Sequence, residues 1–455
     1  MDEPAASFYP PAPVPHSKPL NAVQFVLTAS RNPLEIWGER AYREPIISAR
    51  WLGNPTFIVS DPGAIRYLLV ENAANYGMQP LRQRVLRPML RDGLLTAEGE
   101  LWRRTRRAIS PIFTPRNIFA LAGSMQSRSA RFAEGLAGRS GETVDAAVEM
   151  TLLAYDILQT TLFSGDIAGE PAAFAASVAK FLKTMGHADA LDILDAPAFL
   201  PRPTRMLGRR TQGYLRELIA GTIERRRSLL SRDADAAPAD LLTLLLKTGG
   251  LSPTEIEDNV ITFIGAGHET TARALGWTLY LLSQAPAERE RIEAELDAEL
   301  AVPGDPASWP ERLIHTRAVF EEAMRLYPPA PSLNRTALAD DRVGDVAIPR
   351  GSSVLVLPWI VHRHEKLWVK PRAFMPSRFL PENREKLDRY QYLPFGVGPR
   401  VCIGQSFAMQ EGIIALAALL SRLRFDYVGT RPPFPIQKIT VQPQHGLPMR
   451  VTARR

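Results

Sequence analysis

Phe395-Gly396-Val397-Gly398-Pro399-Arg400-Val401-Cys402-Ile403-Gly404 holds the only cysteine in a chain of 455 residues. A lone thiol can form no intrachain disulfide and cannot build a cysteine-rich zinc site, but it can bind one metal centre through one sulfur. The glycines Gly396, Gly398 and Gly404 permit tight turns and a close approach of backbone to a flat ligand and to sulfur. The following stretch, Gln405 to Leu423, has helical composition and apolar periodicity, which puts Cys402 at a helix N-terminus. Free amides and the helix dipole there favour thiolate over thiol. The ordinary fate of a free cysteine is burial as an inert apolar side chain. The ordered glycines, the arginine and the helix set this one apart.

The ten residues resemble the haem-ligand loop of the cytochrome P450 family. The resemblance runs from about residue 45 to the end of the chain. It implies a mainly α fold with small β-sheets: a triangular helical body with a long central helix and a small β-rich lobe. It also implies haem b (Fe-protoporphyrin IX) with Cys402 as the axial iron ligand, and Phe395, Gly396 and Gly404 in the loop around the cofactor. A thiolate ligand pushes electron density onto iron and favours O–O cleavage, so O2 is the implied co-substrate.

Ser252-Pro253-Thr254-Glu255 reads as a capping box with Pro at the first helical position. A helical pattern then runs to about Ser283, roughly 45 Å, apolar on most sides and therefore expected to cross the core. In its middle lies Gly265-Ala266-Gly267-His268-Glu269-Thr270-Thr271. Two glycines inside a buried helix cost about 1 kcal/mol each relative to alanine, a cost that function or packing must offset. The segment resembles the oxygen-binding segment of the family. Ala266 and Gly267 would leave room for O2, Thr270 would hydrogen-bond the activated oxygen, and Glu269 would help relay protons. The bland alternative is glycine packing with a threonine bonded back to its own helix. His268, at the variable position, is expected to face away.

Glu322 and Arg325 share one helix face at i, i+3 before Pro328-Pro329. The family resemblance adds Arg378 as the third member of a buried triad that fixes the cysteine loop, with Ser377 where the family usually has an acid. Trp102 and Arg106 lie i, i+4 on a helix, so an indole N–H and a guanidinium point the same way. With Arg335 and Arg400 they match the family positions that hold the two haem propionates, since buried carboxylates need cationic partners and donors. Arg103, Arg104 and Arg107 are expected to face solvent. His362-Arg363-His364 contains a His-x-His spacing, but no further ligands stand nearby in the sequence.

Charged residues make up 23% of the chain and hydrophobic ones 45%, with a formal net charge of +7. The composition is that of a globular protein. The positive balance raises nucleic acid as a partner, yet there is no basic tail, zinc spacing or RNA-binding aromatic signature. Arginine runs such as Arg103-Arg104 and Arg225-Arg226-Arg227 read as solvated helix faces, or as a docking surface for an acidic electron donor. No apolar run is long enough for a membrane span and no leader pattern opens the chain, so a cytoplasmic location is expected. Residues 1–44 read as a Pro-rich N-terminal segment packing on the domain. Residues 45–455 read as one haem-thiolate monooxygenase domain without a fused reductase.

The function implied is a haem-dependent monooxygenase acting on a hydrophobic small molecule. Electrons would come from NAD(P)H through a ferredoxin or flavodoxin and its reductase, and the protein would be a monomer. Substrate contacts are expected from Tyr76 to Leu95, from Phe174 to Leu194, and near Phe263, Leu333 and Leu447. The rival readings are a peroxide-driven peroxygenase and a non-catalytic haem-binding sensor.

Overall fold

The computed structural model describes residues 8–454 except 52, 167–176, 178–189, 195, 197–202 and 302–303. Most of the Phe174 to Leu194 stretch lies outside the described residues.

The helix Pro253–Ser283 organises the fold. Its start is set as the sequence requires: Glu255 N–H donates to Ser252 Oγ at 3.2 Å, and Ser252 N–H donates to Glu255 Oε2 at 2.6 Å. Its flanks are buried on nearly every side, from Ile256 to Ile264 and again from Thr271 to Leu282. It packs against the helices Ala146–Phe163, Pro203–Arg232, Ile314–Leu326 and Gln405–Leu420. Their apolar residues form one continuous core that includes Leu158, Ile219, Phe320 and Ile413. The helix Gln405–Leu420 opens on Gly404, directly after the cysteine loop.

A five-stranded sheet makes up the second region. Its strands are β1 (Ile46–Trp51), β2 (Asn54–Val59), β3 (Tyr76–Met78), β4 (Leu333–Ala337) and β5 (Ser353–Val356), in the order β1-β2-β5-β4-β3. Only the β2–β5 pair is parallel. In the register of β4, Arg335 stands opposite Met78 on one side and Val354 on the other, so the sheet fixes its backbone from both edges. Small sheets follow elsewhere, one of them pairing Pro448–Ala453 with both Thr143–Asp145 and Leu423–Tyr427. The mainly helical body with small sheets is the architecture the sequence implies.

The N-terminal segment is tied down at several points. Phe374 N–H donates to Phe8 O at 2.9 Å, and Tyr327 O–H donates to Pro11 O at 2.8 Å. A helix, Ala22–Arg31, follows with a reciprocal Asn21/Gln24 capping box. The sequence reading passed over that helix. Leu94 N–H, in the loop after the helix Pro80–Leu90, donates to Asn259 Oδ1 of the central helix at 2.9 Å. Gly93 makes this approach possible, since a Cβ there would sit 2.1 Å from Thr262 Oγ1.

Candidate active site

The cysteine loop is held by its own backbone: Cys402 N–H donates to Phe395 O at 2.9 Å. Gly396 and Gly398 adopt φ of +71° and +77°, a region that costs other residues about 1–2 kcal/mol. A Cβ on Gly398 would also lie 1.9 Å from Leu69 O, so this position admits glycine alone. Gly404 is different. Its φ is −87°, and a Cβ there would meet Cys402 Sγ at 4.0 Å. It supplies space beside sulfur rather than an unusual turn.

Cys402 is exposed although it lies deep in the molecule. Burial pushes its thiol pKa up, while the Gly404 N–H and the Arg106 guanidinium pull it down. The expected preference for thiolate at a helix start is therefore outweighed by desolvation. A coordinated metal is the agent that deprotonates such a thiol outright.

Four arginines stand around this region. Trp102 and Arg106 are half-buried on the helix Gly99–Ile109, whereas Arg103, Arg104 and Arg107 on the same helix are exposed. The guanidinium of Arg400 lies over the Trp102 ring, 4.5 Å from its centre, and its Nη1 donates to Ala97 O at 2.9 Å. Arg335 enters from β4. The fourth, Arg82, comes from the helix Pro80–Leu90 and was not singled out from the sequence. It shares a stripe at i, i+4 and i+7 with Leu86 and Met89, both buried. An arginine in an apolar stripe is the signal that marks it.

Burial lowers the pKa of all four, and repulsion from a neighbouring arginine adds to it at Arg82, Arg335 and Arg400: Arg82 and Arg335 are each pushed down to about 10. Arg106 and Arg400 move in the same direction. Glu98 is the acid that acts on Arg335 and Arg400, and its Oε1 already accepts from Met78 N–H at 2.6 Å. None of the four arginines has a carboxylate partner among the described residues. Desolvated, mutually repelling cations need anions. A flat group with two carboxylates and a metal that takes one sulfur fits this donor set.

The central helix is buried before and after its middle, but there it opens. Ala266 is exposed, Gly265, Gly267 and Thr270 are half-exposed, and nothing lies within 4 Å of a Cβ built on Gly265. Gly267 is glycine for a packing reason on its other side, where a Cβ would meet Leu158 Cδ1 at 2.8 Å. Thr270 Oγ1 donates to Ala266 O at 2.9 Å. Glu269 is buried, and its Oε1 accepts from Thr440 Oγ1 at 2.8 Å with Arg273 at 3.8 Å. His268 turns away, as expected: its Nδ1 lies 2.5 Å from Ile264 O and its ring meets Tyr155 edge-on.

Behind the loop, the structure brings Glu322, Arg325 and Arg378 together. Arg325 and Glu322 form a fully buried bidentate pair at 2.6 and 2.7 Å. Arg378 Nε stands 3.5 Å from Glu322 Oε1. Arg325 also donates to His362 O, Pro371 O and Ala373 O. His362 is a structural link, with Nε2 accepting from Leu393 N–H at 2.8 Å. His364 Nε2 lies 3.2 Å from Glu44 O, and no cluster of three metal-ligating side chains occurs among the described residues.

Two further expectations are corrected. Leu447 belongs to the core rather than to a substrate surface, packed against Gly276. Arg226 is not on a solvated face: it is buried and donates to Asp240 Oδ1 at 2.6 Å. No helix among the described residues is long and apolar enough to cross a membrane.

The cytochrome P450 family model matches residues 10–448. The chain is 32% identical to cyclooctatin synthase of Streptomyces melanosporofaciens, over 92% of this chain and 90% of that protein. It is 30% identical to a cytokinin hydroxylase of Arabidopsis thaliana, over 87% of this chain and 79% of that one. Among solved structures, the cytochrome P450DA heme domain superposes with a TM-score of 0.81 at 26% identity, covering 98% of this chain and 99% of that one. A loop built around one thiol, a long helix opened at its centre and a match along almost the whole chain lead to one assignment: this protein belongs to the cytochrome P450 family of haem monooxygenases.

Proposed function

We propose that the chain inserts one oxygen atom from O2 into a hydrophobic small molecule, with Cys402 as axial ligand of the haem iron. One observation carries this reading: a deep-set but exposed thiol at a helix start beside four arginines without carboxylate partners among the described residues. Haem, when bound, supplies dioxygen activation, to which a thiolate ligand adds electron push.

The polypeptide does the rest. Arg82, Arg106, Arg335 and Arg400, with the Trp102 indole N–H, hold the two propionates. Phe395, Gly396 and Gly404 shape the bed around sulfur, and the Glu322–Arg325–Arg378 triad keeps that loop in register. Ala266 keeps the helix surface low where O2 and substrate must fit, while Gly267 lets the helix pack against Leu158 on its other side. Thr270 holds a hydroxyl at that surface; with its proton given to Ala266 O, its lone pairs accept from the next donor, and the proton order reverses when that bond opens. Glu269 is the adjacent acid. Release from Thr440 and Arg273 would let its carboxyl turn and hand on protons from the solvent side.

Half-buried Leu333, 3.4 Å from a Cβ built on Gly396, supplies an apolar contact toward the substrate, whereas Phe263 lies in the same core as Leu447, its ring 5.8 Å from that of Phe113. Electrons come from NAD(P)H through a separate ferredoxin or flavodoxin and its reductase. Exposed Arg103 and Arg107, on the outer side of the Trp102 helix, suit an acidic carrier.

The test starts from ligand-induced spin-state shifts across fatty acids, terpenoids, steroids and benzoates, which select a substrate. With that substrate and a surrogate ferredoxin pair, Thr270→Ala should keep haem and substrate affinity but lose most product per NAD(P)H consumed. Unchanged coupling would remove Thr270 from oxygen activation and favour a peroxide-driven reaction.

A further inference from the structure

Asp341 holds its charge without a cation. It opens the hairpin formed by Asp341–Val343 and Val346–Ile348. No arginine or lysine side chain pairs with it among the described residues. Four neutral donors surround it instead. Oδ1 accepts from Tyr67 O–H at 2.9 Å and from Arg342 N–H at 2.8 Å. Oδ2 accepts from Asn72 Nδ2 at 2.9 Å and from Tyr76 O–H at 2.5 Å. Burial pushes the carboxyl pKa up, but these bonds, Tyr76 first, outweigh it and hold the group below its ordinary value. A carboxylate bonded in this way fixes the three side chains it accepts from.

Two of those side chains close one turn of backbone. Asn72 N–H donates to Tyr67 O at 2.8 Å, five residues back, so Tyr67–Glu71 is a single π-turn after the helix Pro62–Arg66. Such turns are rare and concentrate at functional sites. The Tyr67 and Asn72 side chains meet again at Asp341, and Asn72 Nδ2 also reaches the Tyr67 hydroxyl at 3.2 Å. The turn faces the cysteine loop. Leu69 O lies 1.9 Å from where a Cβ of residue 398 would stand, and Val70 Cα lies 3.6 Å from the same point. Leu68 and Leu69 are buried in one apolar cluster with Leu393 and Val397. The third side chain, Tyr76, is on β3, whose Met78 stands opposite Arg335.

We propose that Asp341 is a positioning residue for the cysteine loop: by binding Tyr67 and Asn72 it sets the π-turn, and the Leu69 carbonyl of that turn is the stop against which Gly398, and with it the seat of Cys402, comes to rest. Asp341 touches neither the loop nor sulfur and acts through the turn. A regular α-turn would carry Leu69 O elsewhere, so the π-turn and the left-handed glycine belong to one contact. The network is a property of the polypeptide. Only its meaning at sulfur rests on the proposed function.

The experiment is hydrogen exchange of the holoenzyme read by mass spectrometry, beside the visible spectrum of the dithionite-reduced protein under carbon monoxide in rising urea. Asp341→Ala should speed exchange about tenfold in peptides covering 67–72 and also in those covering 395–404, the factor that one charge-assisted hydrogen bond supports. The same variant should lose the thiolate-type Soret band at lower urea than wild type, before its helical content falls. Tyr67→Phe and Asn72→Ala, each removing one donor, should move both readouts the same way by a smaller step. Asp340→Ala, which removes the neighbouring acceptor of Arg350 N–H, should move neither. Asp341→Asn keeps one acceptor oxygen and is read in the same way should Asp341→Ala fail to fold. Wild-type exchange in 67–72 overturns the network. Cysteine-loop peptides that exchange as in wild type, or a Soret band lost at the wild-type urea concentration, overturn the positioning role and leave Asp341 a brace of its hairpin. An imidazole-type Soret band in wild type would instead count against the proposed thiolate ligand while leaving the exchange result standing.

Discussion

Arg400 lies over the indole of Trp102, with its guanidinium carbon 4.5 Å from the ring centre. The pair joins the cysteine loop to the helix Gly99–Ile109. A cation stacked on an aromatic face keeps its planar fork free for a carboxylate.

Arg400→Leu should raise the rate of haem loss about tenfold or more, the scale of one charge-assisted hydrogen bond. Arg82→Leu should act in the same direction, and Arg103→Leu should leave the rate unchanged. Transfer of haem to an apoglobin trap measures all three. Equal rates for Arg82→Leu and wild type would take Arg82 out of the clamp.

Glu322 and Arg325 are both fully buried and bonded twice. Removing one partner leaves an unpaired buried charge, at a cost of about 3–5 kcal/mol. Glu322→Gln and Arg325→Lys should each lower the denaturation midpoint strongly and shed haem, since lysine cannot reproduce the fork. A midpoint within error of wild type for either variant would make the triad ornamental.

Gly398→Ala combines a left-handed backbone with a Cβ 1.9 Å from Leu69 O. It should destabilise by about 3 kcal/mol, backbone strain and overpacking together. Gly396→Ala, whose Cβ meets only Leu333 at 3.4 Å, should cost about 1 kcal/mol. Thermal melting of the two variants side by side tests the ranking.

Glu411 carries a pH prediction. Its carboxyl rises from 4.5 to about 8 on folding. Its neutral form thus supports the fold below the unfolded value, and that support is lost as pH rises through the folded one. Glu411→Gln, which cannot ionise, should gain stability relative to wild type on going from pH 5 to pH 8 in denaturant titrations. A constant difference across that range would show that Glu411 does not hold its proton.

Much of this site was legible because it is local. The cysteine loop packs its glycines, arginine and ligand into ten residues. The central helix announces itself with a capping box and an apolar run. Trp102 and Arg106 are one helical turn apart. What stayed hidden depends on contacts far apart in sequence. Arg82 matters only because folding sets it beside Arg335 and Arg400. Glu411 looks like one polar residue in an apolar helix until burial leaves it unpartnered. Arg226 reads as one of three solvated arginines, yet Asp240 draws it inside. Glycine at 404 was legible but its reason was not, since φ is fixed by the turn rather than by composition.

The central claim is that Cys402 sulfur binds the haem iron. Reduce the purified protein, add carbon monoxide and record the visible spectrum of wild type and Cys402→His. The account requires a red-shifted, thiolate-type Soret band in wild type and its replacement by an imidazole-type band in the variant. An imidazole-type band in wild type, or no Soret absorption at all, would contradict it.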